Sequence, residues 1–518
     1  MLATALLFAG CGGGGGSSSA TTYTIGGTVS GLSGTLVLQN NGGDDRSVTA
    51  DGAFTFATAV PDGSAYAVTV LTQPAGQTCT VSNGSGTATA NVDTLAVQCV
   101  DNWSGTKQLG VANAVTKGRS VATDANGNVY VTGETYGGLD GNTKTGIVDF
   151  FLTKYDNTGS RLYTRQLGAV SDHGIFIELR STYGQSVATD TSGNVYVAGE
   201  TSGEVDGNAV ADFSGFFLIK YDGDGNRQYI RQLEPEGGYA RGHSVATDSS
   251  GNVYVAGETS GDLDGNSRIG TTDFFVTKYD GDGNKLYTRQ LGVAGAYTYG
   301  NSVATDGDGN VYVAGATYGG LDDNTLTGPG DYFLTKYDSD GNKLYTRQLG
   351  VAGAYTYGNS VATDGDGNVY VAGETTGVLD DNTLTGTWNF FVTKYDSNGN
   401  KLYTRQLGVA GAATGGNSVA TDADGNVYVA GTTGGSLDGA DWSGGWDFFV
   451  TKYDSDGNKL YTRQLGVAGA GTYGTSVATD ADGNVFVAGE TEGGLDGNTL
   501  TGTIDFFVTK YSSDGVKQ

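Results

Sequence analysis

From Trp103 onward, apolar and polar positions alternate with period two in short runs, and no stretch shows the 3.6-residue spacing of an amphipathic helix. The runs come in fours. In one copy they read SVATD (302–306), NVYVAGAT (310–317), YFLTKYD (332–338) and KLYTRQLG (343–350), designated strands A to D. The motif GNVY, once GNVF, starts at Gly127, Gly193, Gly251, Gly309, Gly367, Gly425 and Gly483, with a first interval of 66 residues and five of 58. Seven units of four antiparallel strands, with a period too long for a β-helix coil, predict an all-β fold: a seven-bladed β-propeller. Strand A is built from Ser, Val, Ala and Thr, whereas B to D carry Tyr, Phe and Leu. Space narrows towards a propeller's axis, so A is expected innermost.

The chain ends predict closure. Lys517 and Gln518 stand two residues into strand D of the seventh unit, while WSGTKQLG (103–110), ahead of the first strand A, aligns with KLYTRQLG and puts Trp103 at the position of Lys517. An N-terminal strand D is expected to complete the last blade, which removes a free strand edge. Up-and-down connectivity then puts the A–B and C–D turns on one face and the B–C and D–A loops on the other. Ahead of the repeats, residues 22–100 alternate in the same way with turn signals every eight to twelve residues, which predicts a small β-sandwich.

The segments GNVYVAGET (251–259) and DFFVTKYDSDGNKLYTRQLG (447–466) resemble the bacterial β-propeller repeat called SBBP, and strands A and B also resemble NHL-type propellers. The resemblance spans residues 103–518 and implies the fold; that family has no common activity to carry over. Residues 22–100 resemble the prealbumin-like or Ig-like modules of bacterial surface proteins, which implies a spacer. Near the start, the apolar run Leu2 to Phe8, then Ala9, Gly10 and Cys11, and then GGGGGSSSA resemble a lipoprotein signal and its tether. That resemblance implies a lipid on Cys11 and a membrane anchor. Gly12 after the Cys implies the outer membrane or surface of a Gram-negative cell envelope. The expected layout is a signal peptide (1–10), a tether (11–21), the sandwich (22–100) and the propeller (101–518). No later segment is apolar enough to cross a bilayer.

Composition narrows the partners. Ninety Gly against 4 Pro suit many tight turns, and a formal charge of −28 without a Lys/Arg cluster argues against a nucleic-acid partner. Cys79 and Cys99 match no zinc pattern, and in an oxidising compartment a disulfide between them is expected. No cofactor is expected unless the acidic loops hold Ca2+, and the molecule is expected to be a monomer.

Candidate chemistry is sparse. The A–B and C–D turns read D-x-D-G-N in several copies, which suggests calcium loops, but the second acid becomes Asn126, Ser192, Ser250, Thr158 or Asn398 elsewhere while the Gly stays, as a hairpin demands. The B–C loops all carry an Asp at one position: Asp140, Asp206, Asp264, Asp322, Asp380, Asp438 and Asp496. Either an Asx-turn orders each loop, or a cation is held by sets such as Glu258, Asp264 and Asp273. The two His, His173 and His243, fall in D–A loops, and no catalytic triad, metal-binding His pair or phosphate loop can be assembled. Trp388, Trp442 and Trp446 fall in the B–C loops of the fifth and sixth blades, and Tyr355 and Tyr357 in the D–A loop entering the fifth. Clustered rings on one polar, Asp-lined face form either a binding patch, for which a neutral carbohydrate is the preferred ligand and a protein the other, or loop packing. The expectation is a non-enzymatic binding or structural scaffold. The rival is an exported lyase or hydrolase that works with carboxylates and a cation on the same face.

Overall fold

The computed structural model describes residues 20–172, 177–205 and 214–518, so Cys11, His173 and Asp206 lie outside the described residues. The described residues form two compact units, divided between Asn102 and Trp103. In the first, one four-stranded sheet orders Gly52–Thr55, Ile25–Ser30, Val92–Asp101 and Gln77–Ser82, and a second orders Asp44–Val48, Leu36–Asn40, Ser64–Thr72 and Ser85–Ala88. Alternate residues of both, among them Ile25, Val29, Leu95 and Val97 from one and Leu36, Leu38 and Val68 from the other, share one core. Cys79 and Cys99 sit opposite each other on neighbouring strands and are bonded, which ties two strands of one sheet together.

The second unit is a closed ring of seven four-stranded sheets, each in the order A-B-C-D. In the fourth blade these are Thr298–Thr305, Val311–Thr317, Asp331–Tyr337 and Lys343–Leu349. The inner strands are Thr116–Thr123, Thr182–Thr189, Ala240–Thr247, Thr298–Thr305, Thr356–Thr363, Thr414–Thr421 and Thr472–Thr479. Small side chains let these strands approach, and their hydroxyls then stitch the ring. The Val N–H of each inner strand donates to the Ser Oγ of the preceding one, from Val187 on Ser120 round to Val121 on Ser476. Each Thr Oγ1 likewise donates to the Thr carbonyl before it, ending with Thr123 on Thr479.

The paired aromatics that open strand C do the same with apolar surface. Strand period two sends adjacent rings to opposite blade faces. One ring therefore meets the preceding blade and one the next, in contacts that run from Phe150–Phe217 through Tyr332–Phe391 to Phe506–Phe151, the last at 4.8 Å between centroids.

The closing blade is built from both chain ends. Lys107, Gln108 and Leu109 pair with Val508, Phe507 and Phe506 of strand C, Asp505–Tyr511. The C-terminus supplies the start of the same outer strand, with Lys517 bridging Tyr511 and the Gln518 carbonyl accepting from the Gly105 N–H at 2.8 Å. Lys517 thus keeps its own place, and Trp103 does not duplicate it. Its indole lies between Tyr155 and Phe486 at 6.0 and 5.5 Å, where the other blades put a strand-D tyrosine such as Tyr229.

The B–C loops depart from expectation, because they fold back over the outer edge of their blades instead of standing on the axial face. Leu321 N–H donates to Gln348 on strand D, Asn324 Nδ2 to the Leu321 carbonyl, and Lys343 at the start of strand D pairs with Asp322. Each of the six fully described loops covers an otherwise exposed strand edge. The repeated Asp adopts φ of 49–56° at Asp140, Asp264, Asp322, Asp380, Asp438 and Asp496, a left-handed conformation that Asp tolerates well. Its carboxylate meets a Lys or Arg of strand D, not its own backbone, so the Asx-turn expectation is replaced by an ion pair.

Candidate functional site

The acids proposed for a cation are not brought together. Glu258 and Asp273 stand on neighbouring strands one register step apart, opposite Phe274 and Thr259 respectively, so their side chains leave opposite faces of the sheet. Glu258 pairs with Arg241 and with His243 at 3.7 Å, Asp264 pairs with Lys285, and Asp273 accepts from the Ile269 and Gly270 N–H groups and from Gln290. Among the described residues no group of three or more His, Cys, Asp or Glu is placed to hold a metal. His243 lies within strand A, not in a loop. The first Asp of each A–B turn is also committed: Asp306 accepts from the Asp308 and Asn310 N–H groups and from the buried Tyr312 hydroxyl.

The aromatic residues fare differently. The position just before strand C holds Val148, Ser214, Thr272, Gly330, Trp388, Trp446 and Ile504 around the ring, so two adjacent blades carry Trp at one equivalent place. Trp388 faces Ala413 in a parallel bridge, and the Thr472 N–H donates to the Trp446 carbonyl. The second residue of strand A is Lys117, Tyr183, Arg241, Tyr299, Tyr357, Gly415 and Tyr473. Where six blades place a long side chain, Gly415 leaves room. The result is a cavity of about 280 Å3 on the fifth and sixth blades that reaches the seventh, lined by Glu374, Trp388, Ala413, Gly415, Asn417, Thr432, Trp446 and Tyr473.

Tyr357 lies in strand A, not in the D–A loop, and stacks on Trp388 at 5.8 Å; Tyr355 packs on Tyr357 at 5.7 Å. The row continues beyond these residues, into the fourth blade. Tyr318 lies 6.3 Å from Tyr357, with their hydroxyls hydrogen-bonded at 3.2 Å, and Tyr297 and Tyr299 pack against Tyr318. Trp442 is not part of it: it is exposed, absent from the cavity wall, and its indole N–H donates to the Gly445 carbonyl.

Asn417 of the cavity wall donates to the Gly474 carbonyl, but two other polar groups there, Glu374 and Thr432, have no partner among the described residues. At the strand-B position of Glu374 the other blades hold Glu134, Glu200, Glu258, Ala316, Thr432 and Glu490. Glu134 pairs with Arg119, Glu200 and Glu258 with Arg241, and Glu490 with Lys117. No cation among the described residues meets Glu374, and burial raises its carboxyl above the ordinary value. Thr432 Oγ1 is enclosed without a hydrogen bond.

A stability prediction follows from Glu374. Because its folded pKa is raised, ionisation costs folding free energy. The cost is absent below about pH 4, where the carboxyl is protonated folded and unfolded, and grows as pH rises to neutrality. Glu374→Gln is expected to melt above the parent at pH 7 and level with it near pH 4 in paired thermal scans. A lower melting temperature at pH 7 would contradict the assignment.

A larger hollow of about 500 Å3 on the turn face, at Lys220, Tyr229, Arg231 and Asp282, is a junction between blades. Lys220 there donates to the Gly281 carbonyl, and Arg231 to those of Asp282 and Gly283. The same contacts recur at the other junctions except that between the seventh and first blades, for example from Arg347 to Asn398 and Gly399.

Among curated proteins, the chain is 29% identical over 253 residues to the regulatory protein FlaEY of Caulobacter vibrioides, covering 42% of this chain and 26% of that one. It is 24% identical over 547 residues to an uncharacterized WD repeat-containing protein of Acanthamoeba polyphaga mimivirus, covering 78% and 38%. The chain therefore spans well under half the length of either relative. Solved structures that this chain matches include a PL25 ulvan lyase (TM-score 0.42, 13% identity, 79% of this chain and 97% of that one) and a Bacteroides caccae protein of unknown function (TM-score 0.33, 13% identity, 58% and 90%). The family described as SBBP, beta-propeller repeat, matches residues 105–140, 162–204, 228–264, 286–322, 344–380, 402–438 and 460–496. With seven matches spread over the ring, and each blade ordered A to D, the chain belongs to the SBBP beta-propeller repeat family.

Proposed function

We propose that this chain is an exported, lipid-anchored binding protein of the cell envelope that holds a carbohydrate at the cavity on the fifth and sixth blades. The observation that carries the reading is the row of packed rings from Tyr297 through Tyr318, Tyr357 and Trp388 to that cavity, where Trp446 forms the far wall. Flat rings beside unpartnered polar groups suit sugars, whose faces are apolar and whose rims carry hydroxyls. Export and the anchor rest on the sequence around Cys11 and accord with the Cys79–Cys99 bond, which an oxidising compartment preserves. Binding is favoured over turnover because Glu374 is the only acid among the described residues that line the cavity, whereas glycosidic cleavage ordinarily uses a pair.

Tryptophan emission titrated with a panel of oligosaccharides tests this. At least one member is expected to shift the emission. Trp446→Ala is expected to weaken that binder at least tenfold, about 1.4 kcal/mol, with little change in melting temperature, since the ring is 40% exposed. Trp442→Ala is expected to change neither. A panel without effect, or release of new reducing ends from the bound glycan, would overturn the reading.

A further inference from the structure

The cavity is more selective than a patch of rings. Five blades carry Glu at one strand-B position, and in four of them the chain supplies a basic partner; among the described residues only Glu374 is left without one. Glu374 is half-buried, and a carboxylate partly desolvated and left unpaired carries a cost that a cation would offset. At this point the ring lacks the partner its repeats would provide, since the strand-A position that holds Lys117 or Arg241 elsewhere is Gly415, with Glu374 Oε2 lying 2.5 Å from where a Cβ would sit. The rest of the wall also favours positive charge. It contains no Lys, Arg or His, and it presents Trp388, Trp446 and Tyr473, whose ring faces attract cations.

We propose that the sugar bound here carries a protonated amine, an unacetylated amino sugar whose ammonium pairs with Glu374 while its ring lies against Trp388 and Trp446. This rests on the carbohydrate reading above and narrows it. An acidic or sulfated sugar would be repelled by Glu374. A neutral sugar hydroxyl could donate to it, but a charge-assisted bond is roughly twice as strong. Thr432 Oγ1, enclosed and unpaired, lies in the same wall and can accept from the same ammonium or from a neighbouring hydroxyl. The small volume suits one ring with its substituents.

Three trimers of matched linkage separate the terms: β-1,4-linked glucosamine, its N-acetylated form, and the glucose trimer that bears hydroxyls instead. They are titrated calorimetrically against the full chain at pH 6.5 and 0.15 M NaCl, where the field of a molecule of charge −28 is screened beyond about 8 Å. The glucosamine trimer is expected to bind at least tenfold tighter than the other two, and Glu374→Gln to bring the three within about threefold of one another. Trp446→Ala should weaken all three.

If the trimers bind and lose affinity with Trp446→Ala but the amine confers no preference, the amine assignment falls and the carbohydrate site stands. A preference that survives Glu374→Gln also overturns the assignment, because the charge is then being read elsewhere. If no trimer binds, both readings fall. A lysine oligopeptide that binds in their place would make the ligand a protein. Glu374→Gln is isosteric, and its melting curve is recorded beside each titration, so loss of fold cannot pass for loss of preference.

Discussion

Deleting residues 101–110 is expected to lower the melting temperature of the propeller far more than deleting residues 22–100. The short deletion removes Lys107–Leu109 from the edge of Asp505–Tyr511 and the Trp103 indole, 3% exposed, from between the first and seventh blades. It also strips Thr106, which donates to Asp496, and Gln108, which holds the Leu495 and Asp505 ends of the last B–C loop. An open ring would then present a bare strand edge and an uncovered apolar surface. Truncating a buried Trp alone costs about 3–5 kcal/mol, so Trp103→Ala should already account for a large part of the loss. The long deletion removes a unit with its own core, Ile25 to Cys99, and leaves the ring's ladders whole. Calorimetric scans of the three variants decide the matter, and equal or reversed losses would contradict closure by the N-terminal strand.

The glycine of the VAGET motif should be the least replaceable small residue in the blade. At Gly315 a Cβ would sit 1.8 Å from the Tyr299 carbonyl oxygen and 3.0 Å from the Phe333 ring, on strands A and C that are both paired to strand B along their length. The same approach, 1.8–1.9 Å, recurs at Gly133, Gly199, Gly257, Gly373, Gly431 and Gly489. Gly315→Ala is therefore expected to cost about 3 kcal/mol, the upper end of ordinary overpacking. Gly307, in the A–B turn of the same blade, has nothing within 4 Å of its would-be Cβ, and Ala125, Ala423 and Ala481 occupy that place in other blades. Gly307→Ala should fall within about 0.5 kcal/mol of the parent. Denaturant midpoints of the two variants check this, and similar losses would show that the close approach is not what holds Gly in the motif.

The blades were legible in the sequence because each strand reports burial by size. Ser-Val-Ala-Thr marks the inner strand, Phe-Phe a strand buried on both faces, and the split strand D betrays a closed ring. What repetition states seven times, composition and period two can read. The site lies in what repetition does not state. Gly415, Thr432 and Trp446 matter because they depart from their equivalents, and Glu374 matters because it keeps its residue while losing its partner. A column-by-column comparison of the blades carries that signal for Gly415 and for the paired Trp388 and Trp446. It cannot reveal that Glu374 is unpaired, since the base that meets Glu200 comes from the neighbouring strand A, at Arg241. The B–C loops misled for a related reason. Their Asp residues look like a ring of free acids on one face until the loop is seen to double back, which puts Asp322 beside Lys343, 21 residues away in the chain. Trp442 and Trp446 are four residues apart in one loop, yet only Trp446 reaches the cavity.

The cavity exists because one blade lacks the side chain that most others have, and restoring it is the most direct test of the site. Gly415→Tyr places in the sixth blade the residue found at Tyr183, Tyr299, Tyr357 and Tyr473. Its Cβ would displace only the end of the flexible Glu374 side chain, so the fold should tolerate it. Calorimetric titration of this variant with the tightest-binding oligosaccharide of the panel is expected to show affinity reduced by more than tenfold at an unchanged melting temperature. Undiminished affinity in a folded Gly415→Tyr protein would contradict the account, because the ligand would then be bound elsewhere.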